Sequence, residues 1–242
     1  MLSVRNLSLG VRENEEDIEI IKNITLDFPD DRFIAITGPN GGGKSTLARL
    51  IAGIRTPSAG QILLDGQDIT ALSVTERAKL GISFAFQQPV RFKGLQVKDL
   101  IRIAAGKDLS IVDACEYLSA VGLCARDYID REINASLSGG ELKRIEIATV
   151  LARGTRISVF DEPEAGIDLW SFQNLIQVFK KMRETVKGTI IIISHQERIL
   201  EIADSIVVIS GGEVTDEGPR DAILPKLLGT DAALQACDRV LS

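Results

Sequence analysis

The residues Gly38, Pro39, Asn40, Gly41, Gly42, Gly43, Lys44, Ser45 and Thr46 follow one another without interruption. Glycines at this density let backbone N–H groups converge on an anion with no Cβ in the way. Lys44 adds a mobile positive charge, and the Ser45 hydroxyl is a hard oxygen donor suited to a divalent cation. The spacing G-x-x-x-x-G-K-[ST] cradles phosphates when a strand leads into it and a helix leads out. Both conditions are met. Phe33–Thr37 reads as a buried strand, and periodicity predicts a helix from Lys44 to Ile54 that stops at Thr56-Pro57. The N-terminus of that helix brings its own positive potential to the same point. All nine residues are therefore expected to bind a nucleotide's phosphates. Lys44 would reach the β- and γ-phosphates, and Ser45 would hold Mg²⁺.

A second segment supplies the missing acid–base chemistry. Ile157-Ser158-Val159-Phe160-Asp161-Glu162 is an apolar strand ending in two carboxylates. Asp161 is a candidate Mg²⁺ ligand, and Glu162 is placed to polarise an attacking water as general base. Glu164, two residues on, competes for that role. Adjacent carboxylates at a strand end are often surface charge. Opposite a phosphate loop they form a hydrolytic pair.

The elements that must position these groups alternate strand with helix, which predicts an α/β architecture. Ser3–Leu9 and Glu19–Phe28 read as strands joined by an acidic loop, Arg12–Asp17. Ile62-Leu63-Leu64 before Asp65-Gly66 and Ile82–Phe86 read as further strands. Ser73-Val-Thr-Glu76 is a capping box, and Ser110 opens a helix that Gly122 closes. From 89 to 152 helical periodicity dominates. Strands then resume at Ile157–Asp161, Thr189–Ser194, Ser205–Ile209 and Glu213–Asp216. Composition excludes other classes. With 28 Lys+Arg against 34 Asp+Glu the chain carries a net charge of −6, contrary to a nucleic-acid binder. No apolar run reaches the roughly 20 residues that span a bilayer, and no secretory signal is apparent, so a cytoplasmic location is expected. Cys115, Cys124 and Cys237 are scattered, which argues against a metal or cluster site on this chain.

Leu137-Ser138-Gly139-Gly140-Glu141 heads a helix about 20 residues before the Asp161-Glu162 strand. At this point the sequence resembles the ATP-binding cassette (ABC) ATPases, whose signature is LSGGQ or LSGGE, over roughly residues 1–218. The resemblance implies a P-loop ABC ATPase with a mixed-sheet nucleotide-binding lobe, 1–88 and 153–218. A helical signature lobe, 89–152, would be inserted in it, and a C-terminal helical tail, 219–242, would follow. It also implies roles residue by residue: Gln87 as the Q-loop glutamine and a Mg²⁺ contact, Asp168 in the D-loop, and His195, the chain's single histidine, as the switch histidine. Ser138, Gly139 and Gly140 at a helix N-terminus form a second anion-binding edge. In this family that edge meets the γ-phosphate on another subunit, which implies an ATP-dependent head-to-tail homodimer. Members commonly stack adenine on an aromatic between the first two strands, yet no Tyr, Phe, Trp or His lies between Gly10 and Asp27.

Two partners are considered, and the motifs favour the first. Ala85-Phe-Gln-Gln-Pro-Val90, Gly139–Arg144, Glu164–Asp168 and Ser194–Leu200 resemble segments of the SUF-system iron–sulfur cluster assembly ATPase (SufC-like). That resemblance implies a soluble SufB/SufD-like scaffold as partner. The alternative is the ATP-binding subunit of a membrane transporter, driving a transmembrane subunit and peripheral to the membrane. In either case Phe92, between Arg91 and Lys93, is an anchor candidate or a residue tucked into the helical lobe.

Overall fold

The structure, a computed structural model, describes residues 1–13, 16–88, 90–134, 136–185 and 187–229. β1 (Leu2–Glu13) and β2 (Glu16–Phe28) form an antiparallel ladder from Leu2↔Phe28 to Glu13↔Glu16. The stretch 12–17, expected as a loop, is thus mostly strand, because an established ladder propagates through polar residues. β4 (Ala59–Leu64) pairs with the other side of β1, and β5 (Gln67–Asp68) turns back on β4 through Asp65 and Gly66. Both turn residues have positive φ, 52° and 80°, as a tight hairpin requires.

The second sheet has six strands in the order β10-β9-β3-β8-β7-β6. Here β3 is Phe33–Thr37, β6 Ile82–Ala85, β7 Ile157–Asp161, β8 Thr189–Ile193, β9 Ser205–Ser210 and β10 Glu213–Pro219. All pairings are parallel except β10 with β9, so the sheet is mixed. Side chains alternate between its faces. Ile34 and Ile36 join Leu7, Phe28 and α1 (Lys44–Ile51) in a core beneath the antiparallel sheet. Phe33 and Ala35 face the other way, with Phe160 and Ile192.

That second face is covered by helices. α3 (Val97–Ala105), α4 (Ile111–Ala120), α5 (Ala125–Tyr128) and α6 (Gly139–Arg153) fill the inserted segment, whereas α2 (Val74–Lys79), flanked by Leu72 and Leu80, lies with α1 in the first core. α7 (Leu169–Thr185) and the short α8 (Glu197–Leu200) follow. Val97, Ile101, Leu118 and Ile145 of the insert share one apolar cluster with Phe160 and Phe179, so the insert has no core of its own. Residues 220–229 are helical, and Ile223 packs into the same cluster. Of the C-terminal tail expected to be helical, Leu234 and Val240 lie outside the described residues, as does Cys237. Among the described residues no helix is long and apolar enough to cross a membrane.

α1 ends at Ile51, three residues before the expected Ile54. The cause is local: Gly53, at φ 78°, closes the helix, with Gly53 N donating to Leu50 O (3.1 Å) and Ile54 N to Arg49 O (2.9 Å), and Arg77 seals that end from a distance. Arg77 of α2 is 1% exposed and donates to the helix-end carbonyls of Leu50 (2.6 Å) and Ile51 (2.9 Å) and to Thr70 O (2.7 Å). A Cβ at Gly53 would come within 3.0 Å of Arg77 Nε. A buried cation is costly unless it is fully hydrogen-bonded, and here the negative end of the helix dipole rewards it. Replacing Arg77 with Met removes its hydrogen bonds to Leu50 O, Ile51 O and Thr70 O, so R77M is expected to lower unfolding stability by about 2–4 kcal/mol in urea titration.

Candidate active site

β3 delivers the chain into the glycine loop, which lies flush against β9. A Cβ on Gly38 would sit 2.0 Å from the Ile209 carbonyl oxygen, and one on Gly42 would sit 2.8 Å from it. Gly38 (φ 130°) and Gly43 (φ 102°) also adopt backbone that L side chains rarely take. Gly43 caps α1 without any side-chain hydrogen bond, and the first turn holds no acidic residue. The helix N-terminus is therefore left for an external anion. It opens on a cavity of about 360 Å³ lined by Asn40, Gly41 through Thr46, Glu162 and Ile20. Ile20, on β2, is a wall that pattern reading missed.

Lys44 folds back over the loop, donating from Nζ to Gly38 O (2.9 Å) and Pro39 O (2.8 Å). Burial lowers its pKa, while Glu162 and Asp161 act in the opposite direction. Ser45 Oγ donates to Asp161 Oδ1 at 2.7 Å. Asp161 is 1% exposed and its pKa is raised by burial, against the hydrogen bond from Ser45 and the charge of Arg49 at 3.8 Å. An oxygen pair beside a glycine cradle and an uncapped helix end fits Mg²⁺ bound to phosphates. Ser45 and Asp161 would hold the ion, which supplies charge neutralisation along the phosphates.

Glu162 follows with a positive φ of 45°, its N–H tied to Ile193 O at 3.0 Å. This left-handed turn at the strand end swings the carboxylate into the cavity. Its Oε2 accepts from Gln87 Nε2 at 2.7 Å, and His195 Nε2 lies 3.6 Å from Oε1. Three residues from three separate chain segments thus converge. The His195 pKa is lowered, first by burial and then by Lys44, with Glu162 opposing, so the ring is neutral at pH 7. With its nitrogen on Glu162, Gln87 has its amide oxygen as the end that would face a cation.

Glu164 does not line this cavity. Burial raises its pKa, one oxygen accepts from the Ser194 hydroxyl, and the other is buried with no hydrogen-bond partner. Of the two glutamates, Glu162 is the one that lines the phosphate cavity.

The signature residues stand apart from the phosphate cavity. Ser138 is the N-cap of α6 in a full capping box with Glu141: Ser138 N donates to Glu141 Oε2 (2.6 Å), and Glu141 N to Ser138 Oγ (3.3 Å). Tyr128 also donates to the Glu141 carboxylate, so Glu141 shapes the turn within its own chain. Leu137 is buried, Ser138 and Gly139 are exposed, and a Cβ on Gly140 would press to 2.9 Å from Ser171 Oγ. Asp168 caps α7, accepting from Trp170 N and Ser171 N at 3.0 Å each. Trp170 beside it is 82% exposed. A second cavity, about 710 Å³, runs between Gln87, Gln88 and Arg91 on one side and Gly139 and Gly166 on the other.

A glycine cradle, a buried Ser–Asp pair and a glutamate carboxylate facing the same cavity define a phosphate-loop nucleotide hydrolase. The chain belongs to the ABC transporter family, which it matches over residues 21–165. It is an ATPase that uses ATP with Mg²⁺. It is 39% identical over 209 residues to an uncharacterised ABC transporter ATP-binding protein of Methanocaldococcus jannaschii, covering 83% of each chain. It is 32% identical over 212 residues to the sulfate/thiosulfate import ATP-binding protein CysA of Synechocystis sp., covering 86% of this chain and 58% of that one. The fold matches the dimeric ATP-binding cassette MJ0796 in a post-hydrolysis state bound to ADP and Pi, with a TM-score of 0.81 at 26% identity. That match covers 91% of this chain and 99% of the other.

Two outcomes are expected. Glu162→Gln should retain ATP binding while steady-state hydrolysis falls at least about a hundredfold; Lys44→Ala should instead weaken binding itself, seen by nucleotide titration. The second concerns pH. An acid whose folded pKa is raised holds more protons folded than unfolded, so its ionisation removes stability as pH rises above the ordinary carboxylate range. Glu164→Gln should therefore raise the apo chain's Tm at neutral pH and flatten its rise on acidification towards about pH 5, measured by scanning fluorimetry.

Proposed function

We propose that this chain is the ATP-binding subunit of an ABC transporter, acting as a head-to-tail homodimer that drives a membrane-spanning partner. The observation that carries this reading is an apolar groove directly beyond Gln87. A cavity of about 190 Å³ is lined by Phe84, Phe86, Val90, Phe92, Leu100 and Ile133. Phe86, Val90 and Phe92 remain 41%, 50% and 40% exposed, although Phe92 N donates to Ile133 O at 3.1 Å. Phe92 is therefore docked by its backbone while its ring stays accessible, as an aromatic interface anchor is. A helix seated in this groove would touch the segment whose next side chain holds Glu162.

The relatives' names favour this reading over the iron–sulfur assembly one. CysA is an import ATP-binding protein, and the M. jannaschii relative is an ABC transporter ATP-binding protein. The partner lies at the membrane in this reading, and the chain is peripheral to it. The dimer supplies what one chain lacks. Ser138 and Gly139 stand outside their own phosphate cavity, so a second copy is needed to bring them to the γ-phosphate. The iron–sulfur reading rests on four short segments of likeness and predicts a different partner.

The two are separated by affinity capture from soluble and detergent-extracted membrane fractions of the source cells, with the captured protein identified by mass spectrometry. A multi-span membrane protein is expected, lost with Phe92→Ala while basal ATPase activity stays unchanged. Recovery of a soluble scaffold alone would overturn the transporter reading.

A further inference from the structure

α6 carries an ion pair where an apolar helix face is expected. Lys143 is 1% exposed, and its Nζ lies 3.0 Å from Glu146 Oε2 one turn on. Both side chains reach the same residue of another element. Lys143 Nζ donates to the carbonyl oxygen of Phe86, and Phe86 N donates to Glu146 Oε1 at 3.0 Å. Phe86 is the first residue after β6, the outermost strand on that side of the six-stranded sheet. Its backbone groups have no further strand to pair with, and the ion pair takes that strand's place. The next residue is Gln87, whose Nε2 holds Glu162 at 2.7 Å. Glu146 also lines the apolar groove, and five residues before Lys143 the same helix begins at Ser138.

Burying a lysine and a glutamate costs more than burying two leucines of similar volume, and such pairs are often replaced by apolar residues with no loss of stability. Stability therefore does not explain the pair. What it provides is a fixed backbone position for the residue before Gln87, rigidly joined to the helix that carries the signature.

We propose that Lys143 and Glu146 are positioning residues for hydrolysis, a clamp that sets the height of Gln87, and through it Glu162, relative to the signature helix. Resting on the reading above, the clamp is also the element through which occupancy of the groove reaches the catalytic glutamate. A shift of Phe86 by a seated helix must be resisted by or transmitted to α6, because among the described residues no other group grips Phe86's N–H and carbonyl oxygen together.

The test uses the purified full-length chain and its basal ATPase activity, which needs no partner, so failure here would leave the transporter reading standing. Lys143→Met/Glu146→Leu removes both charges together and leaves neither unpaired, and this gain offsets the two hydrogen bonds lost at Phe86, so Tm is expected to change little. Its kcat is expected to fall about tenfold with KM for ATP within about twofold, since the phosphate loop is untouched. Lys143→Met/Glu146→Gln keeps an amide oxygen for the Phe86 N–H and should recover most of that loss. The deciding measurement is non-additivity: in a Gln87→Ala background, adding Lys143→Met/Glu146→Leu should change kcat by less than about twofold. A tenfold further loss in that background would overturn the proposal. So would unaltered kcat in the Lys143→Met/Glu146→Leu chain.

Discussion

Everything in the site depends on one close approach: the glycine loop lies against the backbone of β9 so tightly that Gly38 leaves no room for a methyl group. That contact fixes the N–H groups of the loop and the first turn of α1 before any ligand arrives. A preorganised set of dipoles stabilises phosphate charge without rearranging at the moment of reaction. The rest of the fold serves this placement. β7 and β8 flank β3 on its other side, so Asp161 and His195 arrive at the same sheet edge as the loop. The sheet order thus brings to one cavity residues that are more than 100 positions apart in the chain.

The second constraint is incompleteness. Within one chain the capping box of α6 satisfies Ser138 and Glu141 internally and turns Gly139 outward. The D-loop is held the same way, with Asp168 spent on capping α7. Both segments are locally satisfied yet stand off the chain's own phosphate cavity. Such an edge is stable in a lone subunit and, in the proposed dimer, would act only on facing another one.

Much of this was legible in the sequence because the decisive signals are local. Gly38 through Thr46, the strand ending in Asp161-Glu162, and the capping boxes at Ser73, Ser110 and Ser138 each depend on neighbours within a few residues. What was not legible depends on partners far away. The C-terminal end of α1 is sealed by Arg77, which donates to the carbonyls of Leu50 and Ile51 from another helix. Glu164 could not be told from Glu162 until the fold buried one and exposed the other to the cavity. Ile20 became a wall of the site only because β2 lies beside the loop. Lys143 and Glu146 look like ordinary surface charges of a helix until their inward rotation is seen. The partner is the hardest case, since the groove's occupant leaves its mark only as exposed aromatic rings.

Trp170 has a consequence for observation rather than for chemistry. It is the chain's single tryptophan, four-fifths exposed, two residues beyond the D-loop aspartate at the edge where a second subunit would approach. All of the protein's indole emission therefore originates at one point of the surface, and it lies outside the phosphate cavity. Ligand entry alone would leave its surroundings wet; the arrival of another subunit in the proposed dimer would dry them. The unmodified chain would then carry, in its own optical spectrum, a built-in distinction between being loaded and being paired.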